Sequence, residues 1–217
     1  MERPSIRSYQ LRGARMTKAQ RLAIENHRER FLVDNPESFN PHQLFPERRE
    51  VVVEIGSGMG EATAEIARTF PEKGFLAIEV HQPGIGSLIL RALDYELKNL
   101  RMINDDCHLI LDLIEDGSVD TFHIFFPDPW PKTKHKKRRL INQDFSELLA
   151  TKLRIGGELR VATDWQDYAL QIKRVLDSNV HFNGGVVERP PWRPLTKFES
   201  QGIDKRHLVT DFLYTRI

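Results

Sequence analysis

The chain predicts an α/β fold: a doubly wound, mostly parallel sheet with an antiparallel closing strand. Three observations carry that expectation. Short continuous apolar runs, suited to strands buried on both faces, alternate with stretches patterned for helices. A glycine-rich turn, Gly56-Ser57-Gly58-Met59-Gly60, directly follows the first apolar run. Acids recur where such runs end, at Glu54, Glu79, Asp106, Asp128 and Asp164. Sheets of this kind bind ligands beyond the carboxyl ends of their strands, so acids on that rim read as a site.

In order, residues 1–50 read as a basic N-terminal arm and connector, and residues 51–217 as a single globular domain. The arm has weak periodicity; Thr17-Lys18-Ala19-Gln20-Arg21 opens a helix to which Leu22 and Ile24 bring little core. Such an arm is expected to order on a partner. Pro36, Pro41 and Pro46 make residues 34–50 an irregular connector. Val51–Ile55 is the first strand, and the glycine turn leads into a helix from Glu61 to Thr69, stopped by Pro71. Phe75–Glu79 is the second strand. Residues 84–98 form a helix with apolar positions at Ile85, Leu88, Ile89, Ala92, Leu93 and Leu97. Leu100–Ile103 is a third strand, 107–115 a helix and Val119–Phe126 a fourth strand. A helix from Asn142 to Arg154 ends at Gly156-Gly157. Leu159–Thr163 is the fifth strand, and Asp164 is placed to cap a helix from Trp165 to Leu176. A Pro/Trp/Arg-rich loop (189–195) precedes a closing strand, Leu208 to Arg216.

With 217 residues the chain suits one α/β domain and is short for two. The single cysteine, Cys107, excludes an internal disulfide framework and a multi-cysteine zinc site. The eight histidines show no metal-ligand spacing. No apolar run approaches the roughly 18 residues of a membrane span, and no secretory core is visible, so a cytoplasmic location is expected. An Arg-rich transit peptide is the alternative for the first segment. The net charge of +1 is unevenly spread: residues 1–30 carry +5 and Lys132–Arg139 carry +6, leaving −10 elsewhere. Two basic zones on an acidic body suit a nucleic-acid partner.

The glycine turn selects among cofactors. A dinucleotide fold needs G-x-G-x-x-G/A, but here Glu61 stands where the third small residue is required, and Gly60 comes one position early. That disfavours a nicotinamide-dependent dehydrogenase. Glu54 precedes the glycines, badly placed for a diphosphate and well placed for a cation. S-adenosylmethionine is cationic and carries no phosphate. E-x-G-x-G-x-G resembles the first motif of class I methyltransferases, a Rossmann-like fold. On that resemblance Glu54, Gly56 and Gly58 hold the cofactor, Glu79 accepts both ribose hydroxyls, and Asp106 meets the adenine, with Asp105 an open alternative.

After Phe126 comes Pro127-Asp128-Pro129-Trp130, a proline-framed acid followed by an aromatic expected to be exposed, then the basic run. F-F-P-D-P-W-P-K-T-K-H-K-K-R-R closely resembles the signature of bacterial tRNA (guanine-N7)-methyltransferases. Thr17-Lys18-x-Gln20, A-I-E-V-H, A-T-D-W at 162–165 and T-K-F-E at 196–199 extend the likeness over most of the chain. Lys134 departs from the family, which often has Arg there; charge is kept without the bidentate fork. The resemblance implies methyl transfer from S-adenosylmethionine to N7 of the variable-loop guanine (position 46) of tRNA, without metal or membrane, by a monomer or homodimer. It implies Asp128 as the catalytic position. Lys132, Asp164, Thr196, Lys197, Phe198 and Glu199 become substrate contacts. Lys134, His135, Lys136, Lys137, Arg138 and Arg139 become the RNA-binding run. Trp130 and Trp165 read as packing before base stacking, and Phe198 as a stacking face or core residue. Guanine N7 has a free lone pair and needs no general base, so Asp128 is expected to orient the base and stabilise developing charge. About six phosphate contacts would cost on the order of 10³-fold in affinity between 50 and 200 mM salt.

Overall fold

A computed structural model describes residues 8–9, 15–34, 37–195 and 208–217. Seven strands form one sheet in the order β3-β2-β1-β4-β5-β7-β6. These are β1 (Glu50–Ile55), β2 (Lys73–Ile78), β3 (Leu100–Ile103), β4 (Val119–Phe125), β5 (Leu153–Thr163), β6 (Phe182–Val187) and β7 (Thr210–Arg216). Only β7 runs against its neighbours, pairing antiparallel with β5 on one side and β6 on the other. Strand order reverses at β1, which lies between β2 and β4.

Both sheet faces are covered, which explains why β1 reads as a continuous apolar run. Side chains alternate between two cores. Val51, Val53, Ile55, Leu76 and Ile78 pack toward α4 (Cys107–Leu113), α5 (Gln143–Lys152) and α6 (Gln166–Asp177). Val52, Phe75 and Ala77 pack toward α1 (Lys18–Phe31), α2 (Glu61–Thr69) and α3 (Gln82–Asp94).

The first helix is a correction to the expected loose arm. Its start is fixed by a capping box: the Gln20 N–H donates to Thr17 Oγ1 (3.2 Å), and the Thr17 N–H donates to Gln20 Oε1 (2.9 Å). Ala23, Ile24 and Phe31 are buried in the second core. The weak apolar pattern misled because the contact with α3 is made through a small residue. A Cβ at Gly86 would stand 2.7 Å from both Gln20 Cβ and Gln20 O.

Two other elements differ. Gly156-Gly157 does not stop a helix; α5 ends at Lys152, and Gly156 (φ 76°) lies inside a β5 that begins at Leu153. β6 was not foreseen, because its central Asn-Gly-Gly lacks an apolar signal. Gly184 is required there, because a Cβ would collide with the Leu213 carbonyl of β7.

Gly86→Val should lower unfolding stability by about 1–3 kcal/mol, since the added branches must displace α1 from α3. Urea denaturation followed by circular dichroism measures it, and an unchanged midpoint would refute the close packing.

Candidate active site

The carboxyl ends of β1, β2, β3, β4 and β5 gather the acids that the sequence marked. At β1 the chain passes from Glu54 and Ile55 into a turn where Gly56 (φ 81°), Gly58 (φ 57°) and Gly60 (φ 75°) are all left-handed. Nothing lies within 4 Å of a Cβ built at Gly56 or Gly58, so these positions are glycine for backbone conformation and leave open space beside the turn. Gly84, in the first turn of α3, is glycine for a different reason: a Cβ would strike the Gly58 carbonyl.

Glu79 locks the turn. Its Oε2 accepts the Gly58 N–H and its Oε1 accepts the His81 N–H, both at 2.7 Å. Each oxygen retains capacity for a further donor, the arrangement a pair of hydroxyls would use. Burial raises the Glu79 pKa, against the lowering effect of these N–H bonds. Asn104 donates to the Glu79 carbonyl (2.7 Å), joining the end of β3 to the same assembly.

Glu54 is the unusual group. It is 4% exposed, and its Oε2 is buried with no hydrogen-bond partner among the described residues. Burial pushes its pKa up to about 7, and the Glu79 charge adds to that. The Thr63 hydroxyl favours the anion from nearby without forming a well-aligned bond. A buried carboxylate with one oxygen unanswered, beneath an open glycine turn, suits a ligand that brings a cation to it.

Asp106 is half-buried and caps α4, its Oδ1 accepting the His108 N–H at 2.9 Å. Asp105, not Asp106, lines a cavity of about 220 Å³ with Leu32, Val33, Gln82 and Asn104. Asp106, Cys107 and His108 also bring three potential metal-ligand atoms within 4.8 Å of one another. Burial, with the neighbouring Asp106, raises the Cys107 thiol pKa far above its usual range. A more open hollow of about 450 Å³, lined by Asp116, Arg154, His181 and Arg216 among others, carries none of the strand-end acids.

Beyond β4 the Pro-framed segment is a strained turn. Phe126 (φ 54°) and Trp130 (φ 42°) adopt left-handed backbone at its two ends. The Phe126 N–H donates to the Ala162 carbonyl of β5 at 2.8 Å. Asp128 is half-buried between them. Trp130, expected to be exposed, is 6% exposed; its Nε1–H donates to the Ser8 carbonyl (2.9 Å), and Arg138 lies 4.9 Å over its ring. Trp165 packs against the first core. Asp164 is half-buried at the end of β5, but it does not cap α6: the N-cap position falls on Trp165, without a side-chain cap bond.

The basic run splits into two kinds of residue. Lys132, Lys134 and Lys137 are exposed, and His135, Lys136 and Arg138 are half-buried. Lys136 pairs with Asp167 at 2.9 Å. Desolvation and the neighbouring Lys134, Arg138 and Lys132 lower the His135 pKa, so it adds no charge at neutral pH. Arg139, expected to hold phosphate, is 2% exposed and turned inward, a correction examined from its partners below. Thr196, Lys197, Phe198 and Glu199 lie outside the described residues. Arg193 and Asp211, both buried, do not stand out in the sequence; an Arg beside a Trp in a loop looks like surface until its distant acid is known.

Solved structures share this architecture. The 16S rRNA methyltransferase KamB superposes with a TM-score of 0.61 at 16% identity, covering 86% of this chain and 98% of that one. SMU.1697c of Streptococcus mutans, titled a methyltransferase in complex with SAH, gives 0.52 at 12% identity over 81% and 95%. The fold is that of a class I methyltransferase. A family model described as "Putative methyltransferase" matches residues 48–212. Proteins named tRNA (guanine-N(7)-)-methyltransferase match at 48% identity in Nitrosomonas europaea (98% of this chain, 97% of that protein) and 44% in Chromobacterium violaceum (100% of both). The chain belongs to the tRNA (guanine-N(7)-)-methyltransferase family.

Because folding raises the Glu54 pKa from 4.5 to about 7, the folded state binds the proton more tightly than the unfolded chain. Stability of the ligand-free protein therefore falls as pH rises between those values, by about 3 kcal/mol. Glu54→Gln should flatten this slope and melt higher than wild type at pH 8. Thermal melts across pH 4.5–8 test it; parallel slopes for the two proteins would refute the assignment.

Proposed function

We propose that this chain transfers the methyl group of S-adenosylmethionine to N7 of the guanine at position 46 in the variable loop of tRNA. One juxtaposition carries the reading: the Glu54 carboxylate on β1, its buried Oε2 without a partner among the described residues, lies at the same rim as the Pro127–Trp130 turn, which follows the adjacent strand β4. Membership of a family named for guanine-N7 methylation of tRNA supplies the substrate class. Among the described residues no helix is long and apolar enough to cross a membrane.

When bound, the cofactor supplies an electrophilic methyl on a sulfonium sulfur. Glu54 faces its cationic end, the left-handed Gly56 and Gly58 let backbone approach, and Glu79 accepts the ribose hydroxyls. Asp106 meets the adenine, with Asp105, which lines the cavity beside Gln82 and Asn104, the alternative; each has one oxygen already accepting a backbone N–H and one left for a ligand. Asp128 aligns the guanine edge and stabilises the positive charge that grows on the purine as N7 attacks. No proton is removed from N7, so no group at this rim has to act as a base. Asp164, Lys132 and the segment Thr196–Glu199 complete the contacts to the nucleotide. Lys132, Lys134, Lys137 and Arg138 contact phosphates, His135 serves as a neutral donor, and Lys136 divides between phosphate and Asp167. The Arg-rich residues before α1 add further positive charge for a polyanion to meet.

Incubation with unmodified tRNA and S-adenosylmethionine, followed by nucleoside mass spectrometry, should yield 7-methylguanosine, and a tRNA with adenine at position 46 should yield none. Any other methylated nucleoside would overturn the reading. Asp128→Ala should lower the single-turnover rate by about 10²- to 10³-fold. Its tRNA affinity, measured by filter binding, should stay within a few-fold. Four available cations, rather than the six residues of the basic run, predict an affinity loss of about 10²-fold between 50 and 200 mM salt. A salt-insensitive complex would exclude this surface.

A further inference from the structure

Among the described residues the two largest fully buried side chains are both arginines, Arg139 and Arg193, and both touch the Phe126–Trp130 turn. Arg193 is 1% exposed. Its Nε and Nη2 donate to the two oxygens of Asp211 at 2.9 and 2.8 Å, a bidentate pair closed away from water. The guanidinium carbon lies 5.4 Å from the Phe126 ring centroid and 5.8 Å from that of Phe125. Asp211 stands opposite Ala162 in the β5–β7 ladder, and the Ala162 carbonyl accepts the Phe126 N–H. Phe126 is thus held twice, through its backbone by β5 and through its ring by an arginine anchored on β7.

Arg139 holds the other end. Its Nε donates to the Pro129 carbonyl at 2.8 Å, its Nη1 to Gln171 at 2.9 Å and its Nη2 to Asp167 at 2.6 Å. The group also lies 4.8 Å over the Tyr168 ring, so α6 fixes it from three residues. A turn with left-handed, non-glycine residues at both ends does not keep that shape by itself. Neutral packing would serve for shape alone. Two guanidinium groups buried at the cost of desolvation give fixed, directional contacts at the two ends of the segment bearing Asp128.

Resting on the function proposed above, we propose that Arg193, paired with Asp211, and Arg139 are positioning residues: two jaws that hold the Phe126–Trp130 turn so that the Asp128 carboxylate meets the guanine in register. On this assignment Arg139 takes no part in phosphate binding, although it closes the basic run.

Arg193→Lys keeps charge and loses the fork. The double variant Arg193→Met/Asp211→Leu removes the jaw without stranding a buried charge, and so decides the matter if the single variant fails to fold. With cooperative melting and the S-adenosylmethionine dissociation constant retained, kcat should fall about 10²-fold, as expected for a displacement near 1 Å, with KM for tRNA within a few-fold. Arg139→Lys should lower kcat likewise and leave the slope of log affinity against log salt unchanged; a slope reduced by about one would make Arg139 a phosphate contact instead. Rates close to wild type in variants that bind cofactor would overturn the clamp. If wild-type protein gives no 7-methylguanosine, the functional reading fails by itself. The clamp is then judged by the Trp130 indole N–H resonance, assigned by Trp130→Phe, which must shift in the Arg193 variants; an unmoved resonance refutes it.

Discussion

Two hydrogen bonds to one carboxylate organise the rim. Glu79 accepts from Gly58 and His81, so the turn after β1, the end of β2 and the start of α3 become one rigid piece. A left-handed glycine run has many conformations available to it, and without a fixed acceptor it would not hold its amides toward a ligand. Glu54 sits in the same piece with a buried oxygen unanswered by the described protein. One acid is satisfied and shapes the turn; its neighbour is left wanting and defines what the turn takes in. Local destabilisation of that sort is common where a site is built before its ligand arrives.

Much of this was legible in the chain. Continuous apolar runs alternating with helices require a covered parallel sheet, and the acids at the run ends had to meet on its carboxyl edge. The turn Gly56–Gly60, Glu54, Glu79 and Asp128 all lie on that rim. What failed to show depends on distant partners. Arg139 stands in a line of cations in sequence, yet Asp167, Gln171 and Pro129 surround it in space. Trp130 packs, as its preference for packing over base stacking implied, but the partners that cover it, Ser8 and Arg138, were not legible from its neighbours. β6 carries two glycines and is held by pairing with β7 rather than by its own pattern. The start of α1 at Thr17 was legible, but its packing was not, because a glycine on α3, not an apolar stripe, makes room for it.

Electrostatics divides the basic run by depth rather than by sequence. Exposed lysines keep their charge in water, where it acts over a Debye length and steers a polyanion. The inward arginine acts only at contact distance, where its fork gives direction. Asp167 joins the two sets: held well below its ordinary pKa by hydrogen bonds from Lys136 and Arg139, it stays anionic between an outer and an inner cation. Attraction and alignment are thereby separated along eight consecutive residues, Lys132 to Arg139.

One turn of α3 has an evolutionary corollary. Gly84 faces the Gly58 carbonyl and Gly86, two residues on, faces Gln20 of α1. Drift at either position is blocked from a different side, one by the ligand turn and one by the basic helix. A lineage that recruited a new N-terminal element would have to re-cut the bearing surface at Gly86 while leaving Gly84 untouched. The arm and the cofactor turn can therefore diverge at separate rates, although only one residue lies between their points of contact.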